Sequence, residues 1–248
     1  MTDLYLIRHA QAVEDTSGTP APEAPLAPLG ILQAGRLRDR LAATHEIKAD
    51  VLLASPLRRT RETAEIIAPA LGLPVTLDAD FKEFYPGDCG GIPEEEIARR
   101  FGLVDFEREP HRPVAPGGDT WAGFTGRVLS AFERVAQTYA GKTIVVVTHD
   151  GVVALSFLYC FGLPALKFVK GLFRPAFPQL FNQQTAITYW HRHRFPAQPP
   201  EWTLVRYNDD VHLYDIGSPA PLNWQSITPQ FSGGPLARPV RVQTNANS

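Results

Sequence analysis

Three short apolar runs each stop at a residue able to do chemistry. Leu4 to Ile7 ends at Arg8-His9, Val51 to Ala54 runs into Ser55-Pro56, and Thr143 to Val147 ends at Thr148-His149. Runs of this length, rich in Val, Ile and Leu, read as buried strands. Stretches with helical spacing lie between them, so the expected fold is α/β, with a mainly parallel central sheet flanked by helices. In such sheets ligands bind outside the carboxyl ends of the strands. Parallel neighbours would therefore gather His9, His149, Arg8 and the arginines that follow Ser55 around one crevice.

The intervening pattern is specific enough to place elements. Residues 14 to 28, with four prolines, read as a loop. Leu29, Leu32, Leu37 and Leu41 predict a helix over 29–41. Ser55 as N-cap with Pro56 at the first helical position predicts a second, ending near Leu71 before Gly72. Pro74 to Leu77 is a short extended piece, 81–91 a glycine-containing loop, and Pro93 to Phe101 a charged helix. Asp119 or Thr120 caps a helix through Tyr139, and Val152 to Phe161 suits a buried one. Thr185 to Trp190 and Trp202 to Tyr207 read as two further strands, an antiparallel pair. The organisation expected is one domain over 1–214, with a helical insertion near 81–120. Beyond it lies a tail, 215–248, rich in Pro, Gly, Ser, Asn and Gln, expected to lie as an irregular strap held by Trp224, Ile227, Phe231, Leu236 and Val240.

Charge sharpens the reading of the crevice. The chain carries 24 basic and 26 acidic residues, a net −2, which gives no reason to expect nucleic acid or a membrane surface as partner. A cluster of arginines in a slightly acidic protein must be local, and its natural ligand is a phosphoryl group, whose oxygens match the guanidinium fork. Two cysteines are too few for a secreted disulfide scaffold. No leader is expected before Leu4, and no apolar stretch approaches the ~20 residues of a membrane-spanning helix. The expected location is the cytoplasm. Taken singly, Arg8-His9 is an ordinary solvated loop, Arg58 and Arg59 ordinary helix-surface charges, and His149 an ordinary satisfied polar group. Their joint placement at strand ends carries the argument.

Those residues also carry a resemblance. Leu6-Ile7-Arg8-His9-Ala10-Gln11 resembles the first signature of the histidine phosphatase (phosphoglycerate-mutase-like) superfamily. Ser55 to Ala64 is similar to its second motif, in which the arginine two places after the leucine contacts phosphate, here Arg59 rather than Arg58. Glu83 with Gly87, Asp88 and Gly91 resembles the glutamate loop, Pro116 to Thr120 a Pro-Gly-Gly turn, and Val147 to Val152 the second-histidine motif. Tyr207 to Leu213 is similar to a common closing segment. The motifs keep the family's order across residues 4 to 213.

The resemblance implies roles. His9 would be the nucleophile that forms a phosphohistidine, and Arg8, Arg59 and His149 would bind the phosphoryl oxygens. Glu83 would protonate the leaving oxygen and then deprotonate water. Gln11 and Asp150, inside the two histidine motifs, are expected at the substrate. No metal and no cofactor are expected, since cationic side chains fill that role. The expected partner is a small phosphorylated metabolite, with a homo-oligomer left open. The phosphatase branch is favoured. The alternatives are phosphoglycerate-mutase-type transfer and a non-catalytic phospho-ligand binding module.

Some positions depart from the pattern. Ala10 replaces a usual glycine, Ala12 a usual hydroxyl residue. Asp15 falls where an asparagine often contacts phosphate, so the loop is expected to shift and Ser17 or a backbone group to take the contact. Residues 81 to 120 and the 162–200 segment, with Phe168, Lys170, Phe173, Arg174, Phe177 and Phe181, are expected on the leaving-group side. There Arg174 and His111 could meet a second anionic group.

Overall fold

The computed structural model describes residues 1–13, 23–89, 92, 94–106, 108–161, 182–193 and 201–216. The expectations for Asp15, Ser17, Gly91, Phe168, Lys170, Phe173, Arg174, Phe177, Phe181 and the tail anchors fall outside these residues.

Six strands are described: β1 (Thr2–Arg8), β2 (Val51–Ala54), β3 (Val75–Leu77), β4 (Thr143–Thr148), β5 (Ile187–His193) and β6 (Glu201–Asp209). The helices are α1 (Pro28–Thr44), α2 (Arg58–Leu71), α3 (Glu94–Phe101), α4 (Trp121–Thr138) and α5 (Asp150–Phe161). The sheet order is β3-β2-β4-β1-β5-β6. The first four of these strands run parallel, and β5 and β6 pair antiparallel beyond them. The expected α/β class, the mainly parallel sheet and the antiparallel pair are all present.

The sheet is covered on both sides, which is why its strands are apolar at consecutive positions. Leu4, Leu6, Leu53, Ile144 and Val146 pack under α4 and α5 with Phe124, Phe132, Val152 and Leu155. The alternate residues Tyr5, Ile7, Leu52, Ala54, Val145 and Val147 pack under α1 and α2 with Leu37, Leu41, Ala64 and Ile67. A third, smaller cluster in the inserted portion joins Cys89, Ile97, Val104, Phe106, Val114 and Ala115.

Two local expectations need correction. The second helix starts at Arg58 with Leu57 as N-cap and no side-chain cap, because the Ser55 hydroxyl is used elsewhere. In α1 the buried face is Gly30, Gln33, Ala34, Leu37 and Leu41, while Leu32 is exposed. Small residues face inward here because the helix start presses on the loop after His9. A Cβ on Gly30 would sit 2.0 Å from the Gln11 carbonyl oxygen. The other boundaries shift little: α5 begins at Asp150 instead of Val152, and Thr120 caps α4 by accepting from the Gly123 N–H.

Candidate active site

Strand order sets the site. β4 lies between β2 and β1, so His149, Ser55 and Arg8-His9 emerge side by side at one edge. The His9 N–H donates to the Thr148 carbonyl at 2.8 Å, and the Ser55 N–H to the Val147 carbonyl at 3.1 Å. The loop after His9 is then tied to helices on either side. The Ala10 N–H donates to Thr63 Oγ1, whose hydroxyl donates to the Arg59 carbonyl, and the Gln11 N–H donates to Gln33 Oε1. Ala10 is fully buried and is not among the residues with positive φ, so alanine is unstrained where a glycine was expected. Ala12 is buried in an isolated bridge to Leu26.

Hydrogen bonds decide the tautomers of both histidines. Nδ1 of His9 lies 2.7 Å from the Ala10 carbonyl oxygen, which can only accept, so Nδ1 carries the proton. The Nε2 lone pair is left facing the crevice, and Arg59 Nε donates to it at 3.2 Å. His149 is the reverse. Arg59 Nη2 lies 3.3 Å from its Nδ1, and its Nε2 lies 2.9 Å from the Ser55 hydroxyl. A guanidinium only donates, so Nδ1 is the acceptor and Nε2–H donates to Ser55. One guanidinium thus spans two ring nitrogens. His9, Arg59 and His149 are all nearly inaccessible, at 7, 6 and 0 % exposure. Arg58 instead turns outward to Glu62, so the choice of Arg59 over Arg58 matches the geometry.

Arg8 flanks His9 and donates to the Asn182 carbonyl oxygen. Asn182 is held in turn by the Asp150 carboxylate, which accepts from its amide at 2.8 Å. The Asp150 carboxylate therefore sits on Asn182, behind Arg8. Gln11 is held through its main chain. Behind Arg8, Thr185 (φ 58°) donates its N–H to the Arg8 carbonyl at 3.0 Å, and its hydroxyl meets His212 Nε2 at 2.8 Å. The Tyr207–Leu213 segment thus braces the site rather than lining it: Asp209 pairs with Arg40 at 2.7 Å, and Asn208 accepts the Gln183 N–H.

Glu83 reaches the crevice from a loop. Its Oε2 accepts the Gly151 N–H at 3.0 Å, at the start of α5, and its Oε1 accepts its neighbour's N–H, that of Phe84, at 2.9 Å. A Cβ on Gly151 would stand 2.4 Å from Oε1, so the carboxylate occupies the space a larger residue would need. His111 is exposed, and nothing in the structure places it at this site.

The electrostatics oppose the ordinary order of ionisation. Burial first, and then the charges of Arg8 and Arg59, push His9 well below the usual imidazole range. Burial and the neighbouring His9, Arg59 and Arg8 do the same to His149. Burial pushes Glu83 up, against the two backbone N–H groups that favour its anion. In water a histidine (about 6.5) holds its proton to higher pH than a glutamate (about 4.3), so neutral His with protonated Glu is always a minor form. Here both shifts favour that pair of protonation states.

The structure brings together the five residues that the sequence offered as catalytic, His9, Arg8, Arg59, Glu83 and His149. Sequence reasoning missed Ser55 and Thr63 as supports, although Thr63 lies four residues after Arg59 and so on the same helical face. Asn182 and Thr185 carried no local signal. Among the described residues no group of three His, Cys, Asp or Glu could hold a metal ion, and no helix is long and apolar enough to cross a membrane.

The chain is similar in sequence and in fold to several known proteins. A phosphoserine phosphatase 1 from Hydrogenobacter thermophilus is 34% identical over 167 residues, 64% of this chain and 75% of its own. The phosphoglycerate mutase-like protein 4 of Arabidopsis thaliana is 32% identical over 192 residues, 76% of each chain. A solved phosphoserine phosphatase of Entamoeba histolytica superposes with a TM-score of 0.62 at 24% identity, over 86% of this chain and all of that one. The model of the histidine phosphatase superfamily (branch 1) matches residues 4–176, and the chain belongs to that family.

Proposed function

We propose that this protein hydrolyses phosphomonoesters of small metabolites through a phosphohistidine on His9, without a metal ion. The observation that carries the reading is the His9 Nε2 lone pair, set by the Nδ1–H bond to Ala10 and facing Arg59. An arriving phosphoryl group takes over the guanidinium of Arg59, and Arg8 supplies a second one. His9 Nε2 attacks phosphorus in line while the P–O bond to the leaving group breaks, and Glu83 gives that oxygen its proton. The resulting Glu83 carboxylate then takes a proton from water, which attacks phosphorus and releases His9. The equatorial charge rests on fixed cations, which cost no reorganisation during the step. His149 contributes once its Nδ1 takes a proton, which a bound dianion favours by offsetting the cations that now depress it.

Relatives named as phosphatases favour hydrolysis over transfer, although a mutase-like relative is similar in sequence as well. The test is a base-stable phosphoenzyme. Wild type quenched in alkali during turnover should retain one labelled phosphoryl group that acid removes, in the presence of excess chelator. His9→Ala should retain none and should lose at least ~10³-fold in turnover, the scale of removing a nucleophile. Full activity in His9→Ala, or activity abolished by chelator and restored by magnesium, would sink the proposal.

A further inference from the structure

Glu83 lies on a loop without regular structure, yet a general acid must be placed to within hydrogen-bond reach of its target. One side chain from another element spans that loop. Arg127, on α4, donates through Nη1 to the carbonyls of Asp80 at 2.8 Å and Lys82 at 2.9 Å. Through Nη2 it donates to Asp119 Oδ2 at 3.3 Å. The same Asp119 oxygen accepts the Tyr85 N–H at 3.0 Å, and the Asp119 N–H donates to the Tyr85 carbonyl at 2.7 Å. The residue before Glu83 and the second residue after it are therefore held by one guanidinium, directly on one side and through one carboxylate on the other.

The rest of the loop is zipped to the same body. The Ala115 N–H donates to the Pro86 carbonyl, and the Asp88 N–H to that of Pro116. The strands of this zipper approach so closely that a Cβ at Gly118 would lie 2.7 Å from the Pro86 carbonyl, and one at Gly87 (φ 97°) 2.5 Å from that of Ala115. The guanidinium itself lies 5.3 Å from the centre of the Phe124 ring, which sits in the main core. Arg127 joins the zipped loop to α4 by hydrogen bonds to its main chain, while Arg134, also on α4, donates only to the carboxylates of Asp78 and Asp80 ahead of it, at 2.8 and 3.0 Å. With side chains 24 and 34 % exposed, the Arg127–Asp119 pair is a weak source of stability. Its directional bonds to the main chain around Glu83 are the more telling feature.

We propose that Arg127, acting with Asp119, is a positioning residue for Glu83. This rests on the reading of Glu83 as the acid. The comparison to make is kcat/KM, which reports steps up to departure of the leaving group, for p-nitrophenyl phosphate against glycerol phosphate. The poor leaving group needs the proton and the good one does not. Arg127→Met should slow glycerol phosphate ~10–100-fold and the aryl ester only a few-fold, in the direction of Glu83→Gln. Arg127→Lys, which keeps the charge but gathers its donors on a single nitrogen, should fall between. If Arg127→Met does not fold, Asp119→Asn gives the same readout. A changed ratio in Glu83→Gln with an unchanged ratio in the Arg127 and Asp119 variants overturns this proposal alone. An unchanged ratio in Glu83→Gln overturns the acid assignment and this proposal with it.

Discussion

The strand-end cradle and the glutamate loop solve the same problem by different means. His9 and His149 follow directly from β1 and β4, with backbone atoms bonded into or beside the sheet. Arg59 stands on the second residue of α2, and its carbonyl is tied through Thr63 to the His9 loop. Glu83 is not itself on such an element, and the sheet reaches its loop only two residues earlier, where the Thr148 hydroxyl donates to the Phe81 carbonyl at 3.0 Å. Glu83 is aimed by the Gly151 N–H at the start of α5 and by contacts between 80–88 and 115–127. A cradle built into a sheet edge resists motion because moving it breaks ladder bonds and core packing together. A loop held by a few bonds is cheaper to displace, so damage there should be selective for the one step that needs the acid.

The cradle should suffer most and without regard to leaving group. Arg59→Met removes the donor to both ring nitrogens and, in the proposed mechanism, a phosphoryl clamp, so kcat/KM should fall by ~10²–10³ for aryl and alkyl phosphates alike. Arg59→Lys should recover little, since one ammonium cannot span two acceptors as the fork does. A loss confined to alkyl esters would break the contrast between the two regions.

Gly151→Ala tests the loop from its other side. The added Cβ would meet Glu83 Oε1 at 2.4 Å, and the carboxylate must move. Alkyl phosphates should slow ~10–100-fold and aryl phosphates a few-fold. The melting temperature should change little, because the helix propensity gained by alanine, about 0.8–1 kcal/mol at most, is offset by the bond that the displaced carboxylate gives up. A lower melting temperature with equal losses on both substrates would mean that α5 itself, not the acid, had shifted.

Ser55→Ala should weaken the cradle more gently. It leaves the His149 Nε2–H buried without its acceptor, a penalty of about 1–3 kcal/mol shared between stability and ring placement. Turnover should fall ~10-fold for both substrate types on that scale, and the ¹⁵N spectrum of labelled histidines should show a shifted His149 Nε2 signal, the tautomer itself being kept by the Arg59 donation to Nδ1. An unchanged spectrum would remove Ser55 from the support of the site.

The smallest effect concerns pH and the brace behind Arg8. Burial and Arg40 lower His212 to about 4, against the pull of Asp209 and Glu46. A base whose folded pKa is depressed contributes stability that is complete above about 6.5 and is lost as pH falls toward 4. Wild-type urea midpoints should therefore decline between pH 7 and pH 4. His212→Gln should flatten part of that decline, the remainder belonging to His9 and His149, whose shifts have the same sign, and near pH 4 to carboxylates held low by arginines, such as Glu46 and Asp209. Turnover near pH 7 should change little. A decline of the same steepness in the variant would show that His212 is not a source of it.

Much of the site was legible because its two histidines and Arg8 sit at strand ends. An apolar run followed by Arg8-His9 or Thr148-His149 announces both the strand and the side chain it delivers, and the Arg59–Thr63 spacing of four places two functional groups on one helical face. Ser55 was visible but misread as a cap, since a serine before a helix fits that role as well as it fits a partner for a histidine 94 residues away. The inward face of α1 was misread for a related reason. Leucines suggest burial, but a glycine and a glutamine were needed where the helix meets the Gln11 backbone.

Local pattern was enough for the element order, the α/β class and the histidines at the strand ends, because strand ends, helix stops and charge type are properties of neighbours in the chain, whereas Glu83 and the choice of Arg59 came from the family resemblance. Which histidine nitrogen faces the crevice depended instead on partners up to 94 residues distant, as did the single guanidinium shared by His9 and His149 and the bracing of Glu83 by Gly151 and Arg127. Tautomers and shifted ionisation follow from burial and from donors that arrive only when β4 inserts between β1 and β2, and no spacing along the chain encodes that arrival.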